Sequence, residues 1–316
     1  MLDPMAVSAD PRRDVVESAW RDQAIWSATA GQLKADLAKW RTRAAVAGVV
    51  GAFLVTLASA LPSVDDSRWA RAVLALAGAV VLAVVPYVVR TKLTREHVAD
   101  WVRARSTSEA LKEQIYRFLV GAPPFEVDAP PGKLIDVLES EIEKVQDLNR
   151  YAASVAPSVS PRPLELRIDD YVEQRVVDQI DRYYLPKARA NADAGKRLRS
   201  IEFTVGLLAV VIGAVAGAAV AADLPQLSGI GAWVGVLTTA GAAVGTHIAA
   251  SRYDHQAIAF FGTARRLGYL RDKWRADPNR LDLARIATFV DDCENAISSE
   301  NEAWLAAWTR DEGATS

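Results

Sequence analysis

Four runs of this sequence contain no Asp, Glu, Lys or Arg, and each run is about 18 to 24 residues long. Because a helix rises about 1.5 Å per residue, each run is long enough to cross roughly 30 Å of hydrocarbon. A single run of this kind could be a buried core helix, but four in two close pairs favour a membrane. We therefore predict an all-α integral membrane protein with spans at about 44–61, 72–89, 203–222 and 227–250.

The connection within each pair is short, and Pro225 prevents the second pair from forming one continuous helix. Each pair is therefore predicted to be a hairpin. Basic residues concentrate on the side of a membrane protein that is not translocated. Those that flank the spans outside the hairpin turns are Lys34, Lys39, Arg41, Arg43, Arg90, Lys92, Arg95, Lys196, Arg197, Arg199 and Arg252. The first turn contains Arg68 and Arg71, offset by Asp65 and Asp66, so the balance predicts that both termini lie in the cytoplasm.

Long polar segments with helical periodicity flank both hairpins and are expected to form cytoplasmic arms. The predicted helices are 12–43, 91–120 and 133–151 in the first half and 164–201, 251–276 and 281–310 in the second. Pro186 is expected to break or kink the second entering arm. Apolar residues recur at spacings of three, four and seven in the last helix, which is typical of a helix packed in a bundle. Trp274, Trp304 and Trp308 are predicted to pack in the core of these arms.

The chain resembles itself at an offset of 156 residues, where the pairs of identical residues include six that precede the two hairpins. The first members of these pairs are Val16, Glu17, Asp22, Gln23, Arg41 and Arg43. Because the matches lie at equivalent distances before the two hairpins, they predict duplication of one unit. We expect two-span units at 1–152 and 164–316, joined by a linker rich in Pro and Ser at 153–163.

Charge and motif content exclude several classes of function. A net charge of −2 gives no overall attraction to nucleic acid, so no nucleic-acid partner is expected. The single cysteine, Cys293, cannot form an internal disulfide. No phosphate-binding loop, zinc motif or nucleophile with a base is present, and the three histidines are not spaced as a metal triad. We therefore expect no enzyme activity, no catalytic residue, no cofactor and no metal.

Small and polar residues inside the second pair of spans give two kinds of candidate. Three GxxxG pairs allow close helix packing, either within one hairpin or between subunits. They are Gly213 with Gly217, Gly231 with Gly235, and Gly241 with Gly245. Thr238, Thr239, Thr246 and His247 are candidates for lining a pore, since polar groups in a membrane commonly face protein or water. The alternative is packing between helices, with the Thr hydroxyls bonded to their own helix backbone.

Three strings in the second half resemble the SLATT family, the SMODS- and SLOG-associating two-TM effector domains. They are YVEQRVVDQIDRYYLPKARANADAGKRLR, FFGTARRLGYLRDKW and FVDDCENAISSENEAWLAAW. The first half looks like a second, more divergent unit of the same kind. The resemblance covers most of the chain and carries no catalytic motif.

This resemblance implies a pore-forming effector of a bacterial conflict or anti-phage system, acting in the inner membrane. The implied partners are the lipid bilayer, further copies of the chain, and a nucleotide-signalling or sensor protein that supplies the trigger. The chain contains no nucleotidyltransferase or SLOG-like sensor motif of its own. The alternative function is a non-conducting membrane scaffold or sensor, with the arms as a protein-binding helical bundle.

Overall fold

The structure is a computed structural model that describes residues 10–61, 68–156, 162–224 and 229–309, the last without the side chains of residues 300–309. These residues contain helices and no strand, so the all-α prediction is confirmed. The long α-helices of the first half are α1 (Pro11–Ala60), α2 (Arg68–Lys92), α3 (Arg95–Val120) and α4 (Pro131–Glu143), followed by the short α5 (Asn149–Ala152). The second half begins with the short α6 (Ile168–Tyr171), and its long α-helices are α7 (Leu185–Ala221), α8 (Val234–Ser251), α9 (Tyr253–Ala276) and α10 (Leu283–Thr309).

Four helical stretches are long and apolar enough to cross a membrane, as the sequence predicts. They are Pro11–Ala60, Arg68–Lys92, Ile168–Ala221 and Gly229–Ala276. At most 17% of the most apolar window of each stretch is buried in the single chain. Large apolar side chains that stay exposed along these windows need a partner other than water, which a bilayer supplies.

Each arm that leaves a hairpin begins at a break in the helix, which the sequence analysis did not predict. Helix α2 continues to Lys92, and α3 starts only at Arg95, where the hydroxyl of Thr94 accepts a bond from the backbone N–H of His97. Helices α8 and α9 are separated by Arg252, which has a φ of 47°. A residue in this left-handed region ends the regular hydrogen-bond ladder, so the span and the arm are separate helices.

Two other predicted helix boundaries differ from the structure. The segment 133–151 was predicted as one helix, but α4 ends at Glu143 and a 3-10 turn (Gln146–Leu148) precedes α5. Pro186 does not break the second entering arm, because helical geometry continues over Ile168–Ala221, and the expected kink stays a prediction. Two wide π-helical segments, Val172–Val177 and Gln179–Tyr184, come just before this proline. A proline lacks an N–H, and wider turns accommodate the missing bond.

The helices are organised as two compact units, and each unit takes segments from both halves of the chain. We call them the arm unit (Met1–Lys34, Val98–Ala188 and Ile258–Ser316) and the span unit (Ala35–His97 and Arg189–Ala257). The division into repeated units at 1–152 and 164–316 rests on the sequence alone and stays a proposal. The compact units follow the division into arms and spans instead.

The 156-residue offset also relates buried positions of the arm unit, which supports that proposal. The pairs in which both residues are buried include Val16 and Val172, Gln23 and Gln179, Thr107 and Thr263, Leu111 and Leu267, Phe118 and Trp274, and Leu134 and Val290. Two further pairs, Ala19 with Arg175 and Leu138 with Glu294, are buried in both halves but differ in polarity. A shared burial pattern is the expected result of copying one helical unit.

Candidate functional site

One face of α8 is exposed and consists of small residues. Its members are Gly235, Thr238, Ala242, Thr246 and Ala249, at spacings of three and four residues. We call this set the α8 face. Not one residue of α8 is buried in the single chain. The exposed residues of α7, by contrast, include Phe203, Leu207 and Val210. Small residues allow a second helix to approach closely, whereas the large ones of α7 suit contact with lipid.

The four predicted pore-lining residues fall in different environments. Thr238 and Thr246 lie on the α8 face, while Thr239 and His247 are half-buried. The hydroxyl of Thr238 donates to the backbone oxygen of Val234 at 2.6 Å, and that of Thr239 donates to Gly235 at 2.8 Å. A ring nitrogen of His247 lies 3.1 Å from the hydroxyl of Tyr253. Thr238 and Thr246 are therefore the two candidates that a partner helix or water could contact.

Four of the six predicted packing glycines lie close to a neighbouring helix, and the other two do not. A Cβ placed on Gly231 would lie 3.1 Å from that of Ala216, and a Cβ on Gly245 would lie 2.5 Å from a carboxylate oxygen of Glu202. Gly213 and Gly241 are in ordinary contact range of Val234 and Val205. These four glycines let α7 and the fourth predicted span, at about 227–250, approach each other closely. Gly217 and Gly235 would meet nothing within 4 Å.

A close contact between α1 and α2 involves two glycines that the sequence analysis did not select. A Cβ on Gly78 of α2 would lie 3.0 Å from the backbone oxygen of Gly51, and one on Gly51 of α1 would lie 2.6 Å from Leu82. The two helices of the first hairpin therefore touch through their backbones at this point. Gly51 and Gly78 lie on different helices, and neither belongs to a GxxxG motif. A search for that motif therefore misses both glycines.

The arm unit is held by a chain of aromatic contacts. Tyr116 meets Trp20 and Tyr171 edge to face, with ring centroids 5.4 and 6.0 Å apart. Tyr171 contacts Phe289, which stacks on Trp274 at 4.5 Å. Such pairs add to the free energy of burial. Trp274 therefore lies in the core, whereas the side chains of Trp304 and Trp308 fall outside those that the structure describes.

A buried ion pair lies beside this aromatic chain. The guanidinium of Arg175 donates to the two carboxylate oxygens of Glu294 at 3.0 and 2.6 Å, and the side chains are 1% and 0% exposed. The hydroxyl of Tyr171 donates to the same carboxylate at 2.8 Å. Burial and the Glu294 charge raise the pKa of Tyr171, so this phenol stays protonated. The pair escaped the sequence analysis, although Glu294 interrupts the apolar stripe formed by Val290, Cys293 and Ile297.

Three more ionisable side chains of α3 lie near this pair. Burial on its own raises the pKa of Glu109, but the charges of Lys112, Arg175 and Arg105 together lower it below its ordinary value. Burial lowers the pKa of Lys112, and Glu109 partly opposes that shift. Glu109 is therefore a carboxylate at neutral pH, surrounded by cations. Among the residues that the structure describes, no group of three or more His, Cys, Asp or Glu could hold a metal ion.

Together the fold and these contacts define an all-α membrane protein that combines four spans with a helical arm bundle. Residues 171–304 match the family model described as SMODS and SLOG-associating 2TM effector domain 1. This match agrees with the resemblance to the SLATT family that the sequence of the second half shows. Residues 22–131 match a separate model, described as a protein of unknown function (DUF4231). No curated protein and no solved structure matches the chain.

Proposed function

We propose that this protein is a membrane effector that acts by forming a pore from several copies of the chain. The family described over residues 171–304 is a two-TM effector domain, and this description supports the effector part of the proposal. The proposed setting is the inner membrane of a bacterium, in a conflict or anti-phage system, with both termini in the cytoplasm. Its action needs no enzymatic step, since opening a pore dissipates the membrane gradient directly.

The α8 face is the observation that supports a pore of several subunits. The spans of one chain are too few and too apolar to enclose a wide aqueous channel, so conduction requires that chains associate. The α8 face is exposed, small and partly polar through Thr238 and Thr246. In an oligomer it could contact the next subunit and present the two hydroxyls to water. The proposed trigger is a nucleotide-signalling or sensor protein that changes the packing of the arms.

Ion flux from liposomes containing the purified full chain tests this proposal. A double substitution, Thr238→Leu with Thr246→Leu, replaces both hydroxyls of the α8 face with apolar side chains. We expect it to reduce flux at least tenfold. The matched control is Thr204→Leu, because Thr204 is an exposed threonine of α7 whose hydroxyl also bonds its own backbone, at 2.8 Å to Ser200. Equal flux from the double variant and the wild type contradicts a pore lined by α8.

A non-conducting scaffold is the competing outcome of the same measurement. A scaffold anchored by its hairpins gives no flux even when the chain is oligomeric, and it tolerates both leucine substitutions. Its function depends instead on arm residues such as Trp274, which is buried against Phe289. Oligomers that never conduct would therefore favour the scaffold or a pore whose trigger is missing.

A further inference from the structure

A groove between α1 and α4 of the arm unit is lined by carboxylates and apolar side chains, and its volume is about 670 Å³. The acidic residues are Asp14 and Asp22 of α1 and Glu139 and Glu143 of α4. Among the described residues that line the groove there is no Lys, Arg or His. We call it the acidic groove. Its walls concentrate negative charge, although the whole chain has a net charge of only −2.

The carboxyl groups of the acidic groove have no ion-pair or hydrogen-bond partner in the part of the chain that the structure describes. Glu139 and Glu143 lie one turn apart on α4, and like charges at this spacing repel each other. Burial raises the pKa of Asp22, and the charge of Arg21 only partly opposes that shift. A cation brought into the groove would therefore relieve repulsion and burial together.

Helix α9 carries the opposite charge on an exposed side. Two aromatic rings and three cations lie there, namely Phe261, Arg265, Arg266, Tyr269 and Lys273, and we call this set the α9 face. Phe261 and Tyr269 are 42% and 61% exposed. The three cations have no ion pair with any described residue. The acid next to them, Asp272, is bound to Arg271 at 2.9 Å and does not neutralise them.

The α9 face and the acidic groove also agree in length and in apolar content. Arg265 and Lys273 are eight residues apart, as are Asp14 and Asp22, which is about 12 Å along each helix axis. Ile135 of the groove is 49% exposed, so it offers an apolar surface to an aromatic ring of the α9 face. Complementary charge and matching apolar surface are the usual features of two surfaces that bind each other.

We propose that the α9 face of one copy of this chain docks in the acidic groove of a second copy. The two surfaces are different, so the contact is heterologous, and each copy uses its α9 face for one neighbour and its groove for another. Repeated contacts of this kind form a ring when the rotation closes. The step from this contact to pore assembly rests on the proposed function above, whereas the association of the arm units does not.

Reversing the charge of each surface tests the contact, with self-association measured by analytical ultracentrifugation of the purified full chain in detergent. The face variant is Arg265→Glu with Lys273→Glu, and the groove variant is Glu139→Arg with Glu143→Arg. Each variant alone brings like charges together at every contact, so we expect its self-association to weaken at least tenfold. In an equal mixture the acidic face of one variant meets the basic groove of the other, and the unaltered surfaces also match. We expect the mixture to regain the association of the wild type.

The matched control is Arg167→Glu with Arg182→Glu. These arginines of the arm unit are 83% and 80% exposed, lie outside the α9 face and give the same change in net charge. We expect this control to associate as the wild type does. A wild type that stays monomeric overturns the proposal, and so does a face variant that associates as strongly as the control. A mixture that does not recover, although both variants keep the wild-type circular dichroism, also overturns it.

Ion flux from liposomes separates this proposal from the proposed function. Recovery of association in the mixture, with no flux from any of the chains, supports the contact and contradicts the pore. Flux from a face variant that associates as the wild type does supports the pore and overturns the contact. The two proposals therefore fail by different results.

Discussion

Arg175 and Glu294 occupy buried positions for which the first half of the chain provides apolar counterparts. At the 156-residue offset these counterparts are Ala19 and Leu138, which are 2% and 5% exposed. The same helical arrangement therefore accepts either an ion pair or two apolar side chains. A buried pair offsets its own desolvation only while both partners are present.

We predict that Arg175→Met or Glu294→Leu alone lowers the free energy of unfolding by about 3 to 5 kcal/mol, since each leaves one buried charge without its partner. The double variant should lose less than either single variant. Thermal unfolding followed by circular dichroism at 222 nm measures these differences. Arg182→Met is the control, because Arg182 is 80% exposed beside Asp178, and it should cost no more than about 1 kcal/mol. Additive losses in the double variant would contradict the account.

The residue scale also shows what periodicity can and cannot predict. Thr239 and Thr246 are seven residues apart, which places them nearly in line on a helix. Only packing against a neighbouring helix distinguishes the half-buried Thr239 from the exposed Thr246. In the arms, Trp274 is 4% exposed and stacks on Phe289. The apolar stripe gave no indication of Arg175, whose partner Glu294 is 119 residues away along the chain.

At the scale of the elements, the spans were predictable because about 20 uncharged residues in a row form a strong signal. The breaks at Thr94 and Arg252 were not, since neither residue is a glycine or a proline. The left-handed conformation of Arg252 is unfavourable for a residue with a side chain, so the surrounding helices must impose it. The contact between Gly51 and Gly78 was also missed, because it depends on how two helices cross.

The crossing of α1 and α2 at Gly51 and Gly78 gives a prediction about the stability of the first hairpin. Gly78→Ala places a methyl group 3.0 Å from the backbone oxygen of Gly51 and the backbone nitrogen of Val55, which cannot move as a side chain can. We expect a loss of about 1 to 3 kcal/mol through overpacking, visible as a lower melting temperature in detergent.

Gly48→Ala is the matched control for that substitution. A Cβ on Gly48 of α1 meets nothing within 4 Å, so this variant should melt at the wild-type temperature or above it. If both alanine variants melt alike, the helices of the first hairpin do not touch at Gly51 and Gly78.

At the scale of the whole molecule, the two compact units differ in how their apolar side chains are covered. The arm unit has a conventional core, with aromatic contacts and a buried ion pair, and it carries the acidic groove. The span unit instead exposes its apolar side chains and, on α8, a face of small residues. The family was recognisable from three strings in the second half, and the match over residues 171–304 confirms it. The divergent first half matches a different model, so the proposal that it arose by duplication rests on the 156-residue offset.

Access of a water-soluble thiol reagent to the α8 face tests the central claim most directly. The wild-type chain should give no reaction with the reagent. Its one cysteine, Cys293, is fully buried, and burial raises the pKa of its thiol, which keeps it unreactive. Cysteines are introduced singly at Thr238 and, as the control, at Thr204. A charged methanethiosulfonate is then added while ion flux from liposomes is recorded. The account predicts that flux through Thr238→Cys is blocked while flux through Thr204→Cys and wild type continues. Flux that continues unchanged in Thr238→Cys would contradict a pore lined by α8.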